Sequence, residues 1–155
     1  MDTMNKMNFE LIKFSDVDSE SLKKQLDSLN SLPFNKNDAS LILLENLPIG
    51  VVSITKMRNG DLDITYGIFE EYRNKKYGTT FLNYFVNLIF NDNPEQNIVT
   101  LNIYYTNHFS IKVAVNNNFK MDFSEIEKRE YYGEGNELIP FYKENPRLIK
   151  KLYKK

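Results

Sequence analysis

The sequence predicts an α/β fold of the α+β kind, with a mixed, mostly antiparallel central sheet of about seven strands flanked by about four helices. Three observations carry that expectation. Short runs of period-two apolar alternation recur along the chain, an Asn59-Gly60 hairpin signal joins two of them, and helical three-and-four spacing interrupts the strands. The 155 residues contain no internal repeat, low-complexity block or linker, so one domain over 1–155 is expected. A domain of that size buries roughly 68–70% of the surface its unfolded chain exposes. With 41% apolar and 26% charged residues, and with 10 Tyr and 11 Phe supplying bulk where Trp is absent, an ordinary folded core is implied.

The elements follow in order. Phe9 to Ser15 alternates as a first strand and stops at Ser15-Asp16. Asp18 or Ser19 then caps a helix over Glu20 to Leu29, where Leu22, Leu26 and Leu29 recur on one face. Pro33 ends that region, and a short helical piece is expected within Phe34 to Ala39. Ser40 to Glu45 and Ile49 to Met57 read as strands around an Asn46-Leu47-Pro48 break, and Arg58 to Asp61 turns into a strand carrying Leu62, Ile64, Tyr66 and Ile68. Phe81, Leu82, Phe85, Val86 and Ile89 form one face of a helix over Thr79 to Phe90, closed by Asn91 to Pro94. Ile98 to Tyr105 is a strand, and a helix starts near Thr106 or Asn107, either of which caps it. Phe119 to Glu127 and Leu138 to Lys143 are expected as two last strands, joined by the Gly133-Glu134-Gly135-Asn136 turn.

Composition excludes several kinds of chemistry. The absence of Cys removes disulfides, thiolate metal sites and cysteine nucleophiles, and the single His108 removes multi-histidine metal sites, so no metal is expected. Met1 to Asn8 is polar, unlike a signal peptide, and no apolar run is long enough to span a membrane; a cytoplasmic protein with no membrane partner is the expectation. A net charge of −1 argues against a general nucleic-acid binder. Charge is uneven, however: Arg73, Lys75 and Lys76 cluster, Arg147 to Lys155 is basic, and acids gather between Asp122 and Glu137.

The segment Ile64 to Thr79 runs from a strand through a short loop into a helix. The first turn of a helix presents unpaired N–H groups and a partial positive charge of about half an elementary unit, which suits phosphate oxygens. Gly78 permits close backbone approach, and Arg73, Lys75 or Lys76 supply countercharge. A basic loop that merely leads into an amphipathic helix is the competing reading.

This segment resembles the signature of the GNAT superfamily of N-acetyltransferases, Arg/Gln-x-x-Gly-x-Gly/Ala, with Arg73 at the first position and Gly78 at the last; Lys76 stands where the family has its first glycine. A second signature, Asn-x-x-Ser/Ala followed about nine residues later by Phe, is matched by Asn107-His108-Phe109-Ser110 and Phe119, with Asn118 in place of a preceding Gly. The resemblance spans roughly Leu41 to Tyr142 and is nearest to the ribosomal-protein N-terminal acetyltransferase branch. It implies a splayed pair of strands that takes the pantetheine arm of acetyl-CoA, with Gly67, Ile68 and Phe69 lining the gap. Arg73, Asn74, Lys75, Lys76, Tyr77, Gly78 and Thr79 would hold the phosphates, and Asn107 would donate to the pantetheine arm or cap the helix.

The resemblance also implies direct attack of a primary amine on the thioester. Where many members have an acidic Tyr this chain has Ala114, and Ser110 stands where the ribosomal branch has its acid; a serine bonding its own helix backbone is the alternative. Glu130 is implied as base, on the strand after that helix, with Glu70, Glu71 and Asp122 as competitors. The acceptor is a small molecule or a protein N-terminus, and a homodimer is compatible with the sequence. Two rivals stand beside this reading: a CoA-binding protein without catalysis, and an interaction module using the basic tail from Pro146. Tyr131 and Tyr132 either line an acceptor pocket or pack the sheet, and His108 is most simply an exposed residue beside a cap.

Overall fold

The computed structural model of the chain describes residues 7–27, 29, 38–135 and 137–153. Most of the helical piece expected within Phe34 to Ala39, and Asn136 of the expected turn, lie outside them. Among the described residues there are seven strands and five α-helices. They are β1 (Phe9–Lys13), α1 (Lys23–Asp27), β2 (Ala39–Leu44), β3 (Leu47–Lys56), β4 (Leu62–Ile68), α2 (Tyr77–Asp92), β5 (Ile98–Tyr104), α3 (His108–Asn116), β6 (Lys120–Met121), α4 (Phe123–Tyr131), β7 (Leu138–Glu144) and α5 (Pro146–Tyr153). The strands hydrogen-bond in the order β1-β2-β3-β4-β5-β7-β6. β4 pairs with β5 in parallel, at Leu62↔Val99 and Asp63↔Thr100, whereas β1 with β2, β2 with β3, β5 with β7 and β6 with β7 are antiparallel. The parallel ladder engages two of the seven residues of β4. Contacts divide the chain into two compact units, Met1–Ile54 with Thr65–Phe81, and Thr55–Ile64 with Leu82–Lys155.

In the first unit, β1 and β2 pair antiparallel from Phe9↔Leu44 to Lys13↔Ser40. The β2–β3 connection is tighter than the expected Asn46-Leu47-Pro48 break. Only Glu45 and Asn46 leave the strands, both with positive φ (51° and 66°), the geometry a two-residue hairpin requires. Pro48 sits inside β3 instead, beside a register shift between Ile42 and Leu43 that leaves Ile49 as the extra residue; a bulge is one of the few strand positions a proline tolerates. The helix expected over Glu20 to Leu29 forms as a 3-10 turn over Ser19–Leu22 followed by the short α1. Asp18 caps it, its carboxylate accepting from the Glu20 amide at 3.1 Å. Leu22 and Leu29 are buried with Phe14, Ala39, Leu41, Leu43, Val51 and Phe69, and Leu26 packs against that cluster. Separately, Phe81 at the start of α2 stacks edge-on against Phe9 (centroids 5.4 Å apart) and lies 6.4 Å from the Tyr66 ring.

In the second unit the Asn-Gly hairpin appears as expected. Met57 N–H donates to Asp61 O at 2.8 Å, and Gly60 takes φ 95° as the last residue of a three-residue loop. β5 and β7 pair along their whole length, Ile98↔Glu144 to Tyr104↔Leu138, with Val99, Leu101, Ile103 and Phe141 buried. The strand expected over Phe119 to Glu127 is a correction: only Lys120–Met121 pair with β7, and α4 begins at Phe123. Asp122 caps α4 by accepting from the Glu125 amide at 3.1 Å, and the acid-x-x-Glu spacing at Asp122 and Glu125 resembles a capping box. Gly133, expected in a strand-to-strand turn, closes α4: its amide donates to Glu130 O at 3.1 Å while the Glu134 amide donates to Arg129 O at 2.8 Å, a Schellman end with Gly133 at φ 71°. α5 starts on the wholly buried Asn145, whose amide nitrogen donates to Gln96 O at 2.9 Å while its oxygen accepts from the Arg147 amide at 3.1 Å. No helix among the described residues is long and apolar enough to cross a membrane.

Candidate active site

The expected phosphate loop lies in the first unit. β4 ends in Gly67 and Ile68 and Phe69 follows directly, all three buried, and the Phe69 amide donates to Ile49 O at 2.8 Å. Gly50 faces this strand end so closely that a Cβ there would collide with the Gly67 carbonyl oxygen and stand 3.1 Å from Ile68 Cα. That requirement is invisible in a single sequence, where Gly50 reads as one more residue of a Val/Ile strand. Glu70–Tyr72 then form one 3-10 turn. Arg73 continues in extended backbone, and its Nε donates back to Ile68 O at 2.9 Å, so the guanidinium ties the loop to the strand it leaves.

Asn74 and Lys76 both adopt left-handed backbone, with φ 64° and 63°. The position where the related signature has its first glycine thus takes positive φ here, and Lys76 bears the steric cost of doing so. Lys76 O accepts from the Thr80 amide at 3.1 Å and from Thr80 Oγ1 at 3.0 Å, which starts α2. The amides of Tyr77 and Gly78 therefore precede the first intrahelical hydrogen bond, at the positive end of a 16-residue helix. Arg73, Lys75 and Lys76 are exposed around this turn, with Lys75 Nζ 5.8 Å from the Tyr72 ring centre. Glu70 and Glu71 line an open groove with Lys24, Gln25 and Phe69.

The second signature lies in the other unit. Asn107 is the cap of α3, with Oδ1 accepting from the Ser110 amide at 3.1 Å. Ser110 is half-buried in the first turn, and its hydroxyl makes no hydrogen bond with a described residue. Ala114 is wholly buried. Asn118 takes φ 64° and Phe119 is buried; their amides donate to Val115 O and Ala114 O, each at 3.0 Å, so the asparagine serves as the left-handed residue of a Schellman end. His108 is exposed. Glu130, expected on a strand, is exposed on α4 instead, because the chain after Met121 turns helical. Tyr131 and Tyr132 are exposed and stack edge-on on one another, 5.1 Å between centroids, so they do not pack the sheet.

One polar group in this unit escaped the sequence reading. Asp63 Oδ1 accepts from Thr100 Oγ1 at 2.6 Å and from Asn102 Nδ2 at 3.1 Å. Asn102 Oδ1 in turn accepts from Arg129 Nη2 at 2.9 Å, and Arg129 also donates to Leu138 O at 3.1 Å and to Glu125 at 3.2 Å. Burial raises the Asp63 carboxyl above its ordinary range, against the lowering effect of its two hydrogen bonds and of Arg129. The signal was present only as a charged residue in an otherwise apolar strand. No group of three or more potential metal ligands occurs among the described residues.

Residues 11–120, more than half of the chain, match the sequence family described as acetyltransferase (GNAT) domain. The chain belongs to the GNAT acetyltransferase family. Solved structures carry the same GNAT fold. Campylobacter jejuni N-acetyltransferase PseH in complex with acetyl coenzyme A superposes with a TM-score of 0.61 at 14% identity, covering 88% of this chain and 99% of that one. The IAA acetyltransferase from Bacillus cereus gives 0.62 at 14% identity, covering 89% and 99%. Aminoglycoside acetyltransferase AAC(6')-Ib in complex with coenzyme A gives 0.67 at 13% identity, covering 94% and 99%. At such identities these likenesses establish the fold and leave the acceptor open. Among curated protein sequences none matches significantly.

Proposed function

We propose that this GNAT chain transfers the acetyl group of acetyl-CoA to a primary amine, and that residues 1–155 act as one acetyltransferase domain. The observation that carries the reading is the turn from Arg73 to Gly78, where two left-handed residues and the start of α2 gather backbone amides among three cations. These residues fit a diphosphate. In the proposed complex Arg73, Asn74, Lys75, Lys76, Tyr77, Gly78 and Thr79 surround it, and the pantetheine arm pairs with the backbone of Gly67, Ile68 and Phe69.

The reaction needs an unprotonated amine, stabilisation of the developing oxyanion and a proton for the leaving sulfur. The amine nitrogen attacks the thioester carbon, the C–N bond forms, and the C–S electron pair leaves on sulfur. Ser110 is assigned the proton that neutralises the thiolate, its own oxygen being reprotonated from solvent. Asn107 holds the α3 turn that presents Ser110, and Glu130 is the carboxylate assigned from sequence to deprotonate the acceptor.

Acceptor choice follows from proton cost. A lysine-like amine of pKa about 10.4 costs roughly 4.6 kcal/mol to deprotonate at pH 7, an α-amino group near 7.8 about 1 kcal/mol. An N-terminal amine, as in the ribosomal-protein branch, is therefore favoured over a lysine. The buried Ala114, where many family members have an acidic Tyr, supports a second reading, binding of acetyl-CoA without turnover.

Calorimetry with acetyl-CoA, followed by thiol release across an amine panel, tests both. Saturable binding with turnover is expected; binding without turnover on any amine favours the second reading, and no binding defeats both. Gly78→Asp is expected to abolish binding, and Glu130→Gln to slow turnover most near neutral pH.

A further inference from the structure

We propose that the Tyr66 hydroxyl is a ligand-binding donor, unpaired in the free protein and paired by an oxygen of the pantetheine arm when acetyl-CoA binds. The proposal rests on the acetyl-CoA binding proposed above, and it adds a side chain to a track otherwise made of backbone. Among the described residues, the Tyr66 hydroxyl is the one side-chain oxygen or nitrogen that is both sealed from solvent and without a hydrogen-bond partner. Such a group lowers the folding equilibrium by roughly 5- to 150-fold relative to a well-packed apolar group of the same shape. For packing alone, phenylalanine would be the better residue at this position.

The surroundings point to what the hydroxyl serves. Tyr66 alternates along β4 with Ile64 and Ile68, both buried, so the three side chains share one face of the sheet. On that face its ring lies 6.4 Å from the ring of Phe81. Phe81 is the fifth residue of α2, three past Gly78 and therefore about 4.5 Å further along the helix axis. Phe9 meets Phe81 edge-on at 5.4 Å and steadies that ring. Tyr66 as a whole is half-buried while its oxygen is sealed, so the accessible part of the side chain is not the hydroxyl.

In the proposed complex the cofactor passes both neighbours of this ring. Its diphosphate sits at the amides that precede the first hydrogen bond of α2, and its arm pairs with Gly67, Ile68 and Phe69. The next residue back along β4 is Tyr66. Every one of these residues lies within Thr65–Phe81, inside the first compact unit. The arm offers amide carbonyls and a hydroxyl as acceptors, and a neutral phenol donates to either. Burial pushes the Tyr66 phenol far above its ordinary range, so it keeps its proton at neutral and alkaline pH. A change of rotamer that carries the oxygen to the arm relieves the unpaired group, and binding recovers what the free protein forgoes.

Wild type and Tyr66→Phe are compared by thermal unfolding, with and without acetyl-CoA, and by calorimetry with acetyl-CoA and with ADP, which carries a diphosphate but no arm. Free Tyr66→Phe is expected to melt about 2–12 °C above wild type. It is expected to bind acetyl-CoA roughly 5- to 150-fold more weakly and to bind ADP as wild type does. Its melting temperature should also rise less on saturation with acetyl-CoA.

A free Tyr66→Phe protein that melts at or below wild type shows that the hydroxyl already has a partner, and unchanged acetyl-CoA affinity shows that the arm does not meet it. Either result overturns the proposal while cofactor binding stands. An equal loss of affinity for acetyl-CoA and for ADP places the effect at the diphosphate and overturns it as well. Wild type that binds neither molecule removes the acetyl-transfer reading and the role of Tyr66 with it.

Discussion

Lys76→Gly is expected to stabilise the protein, against the usual effect of introducing glycine. Lys76 holds φ 63°. A left-handed conformation costs an L-residue roughly 1–2 kcal/mol, because its Cβ crowds the following carbonyl oxygen. Glycine removes that cost but loses roughly 0.5–1 kcal/mol through the extra freedom of its unfolded state. The net gain is about 0.75 kcal/mol at the middle of these ranges, between limits of about 0 and 1.5, which in a protein of this size raises the melting temperature by about 1.5–3 °C. The bonds from Thr80 to Lys76 O belong to the backbone carbonyl and survive the change. Lys76→Ala separates charge from conformation, since it also removes the ammonium yet keeps a Cβ at positive φ. Acetyl-CoA affinity should fall alike in both variants, while only the glycine variant gains stability. Thermal unfolding of the three proteins in parallel is the assay. An alanine variant as stable as the glycine variant would show that the backbone at position 76 carries no strain, and the argument from left-handed geometry would be lost.

Gly50→Ala is expected to cost about 1–3 kcal/mol in denaturant unfolding and to weaken acetyl-CoA binding, because the obstacle is the backbone of Gly67 and Ile68 rather than a side chain that can rotate away; wild-type stability would contradict it. Ser110→Ala should lower kcat by about 100-fold or more without changing acetyl-CoA affinity, since the Asn107 cap bonds the amide of residue 110 and not its hydroxyl. An unchanged kcat removes Ser110 as the acid. The raised Asp63 carboxyl favours the protonated folded state, so its stabilising contribution is complete below the unfolded aspartate range and is lost as pH rises through the folded value. Asp63→Asn should therefore be at least as stable as wild type at pH 7, with the margin shrinking on acidification. A margin that widens in acid would reverse the sign of the shift.

The central sheet and α2 were legible because their signals are local: alternation in β4, β5 and β7, the Asn59-Gly60 turn, and the apolar face from Phe81 to Ile89. The strand-turn-helix geometry proposed to hold a diphosphate was legible for the same reason, since strand, basic turn and helix follow one another within Ile64 to Thr79. What failed also has physical causes. Alternation in Lys120 to Phe123 outweighed the cap spacing of Asp122 and Glu125, which turned an expected strand into α4 and moved Glu130 off the sheet. Pro48 drew the β2–β3 turn two residues late, because a proline at a bulge looks from sequence like a proline in a loop. The roles of Gly50 and Asp63 depend on residues 17 and 37 positions away, and no local pattern encodes such contacts.

The hairpin at Asn59-Gly60 and the start of α5 at Asn145-Pro146 age differently. An asparagine side chain loses ammonia when the next backbone nitrogen attacks it, and glycine leaves that nitrogen unhindered while proline has no hydrogen there to give up. Asn59 is exposed, whereas Asn145 is wholly buried and followed by the protecting residue. Slow chemical damage in stored protein should therefore begin at the β3–β4 hairpin, adding a negative charge and an extra main-chain atom there, while the interior amide that seats α5 persists.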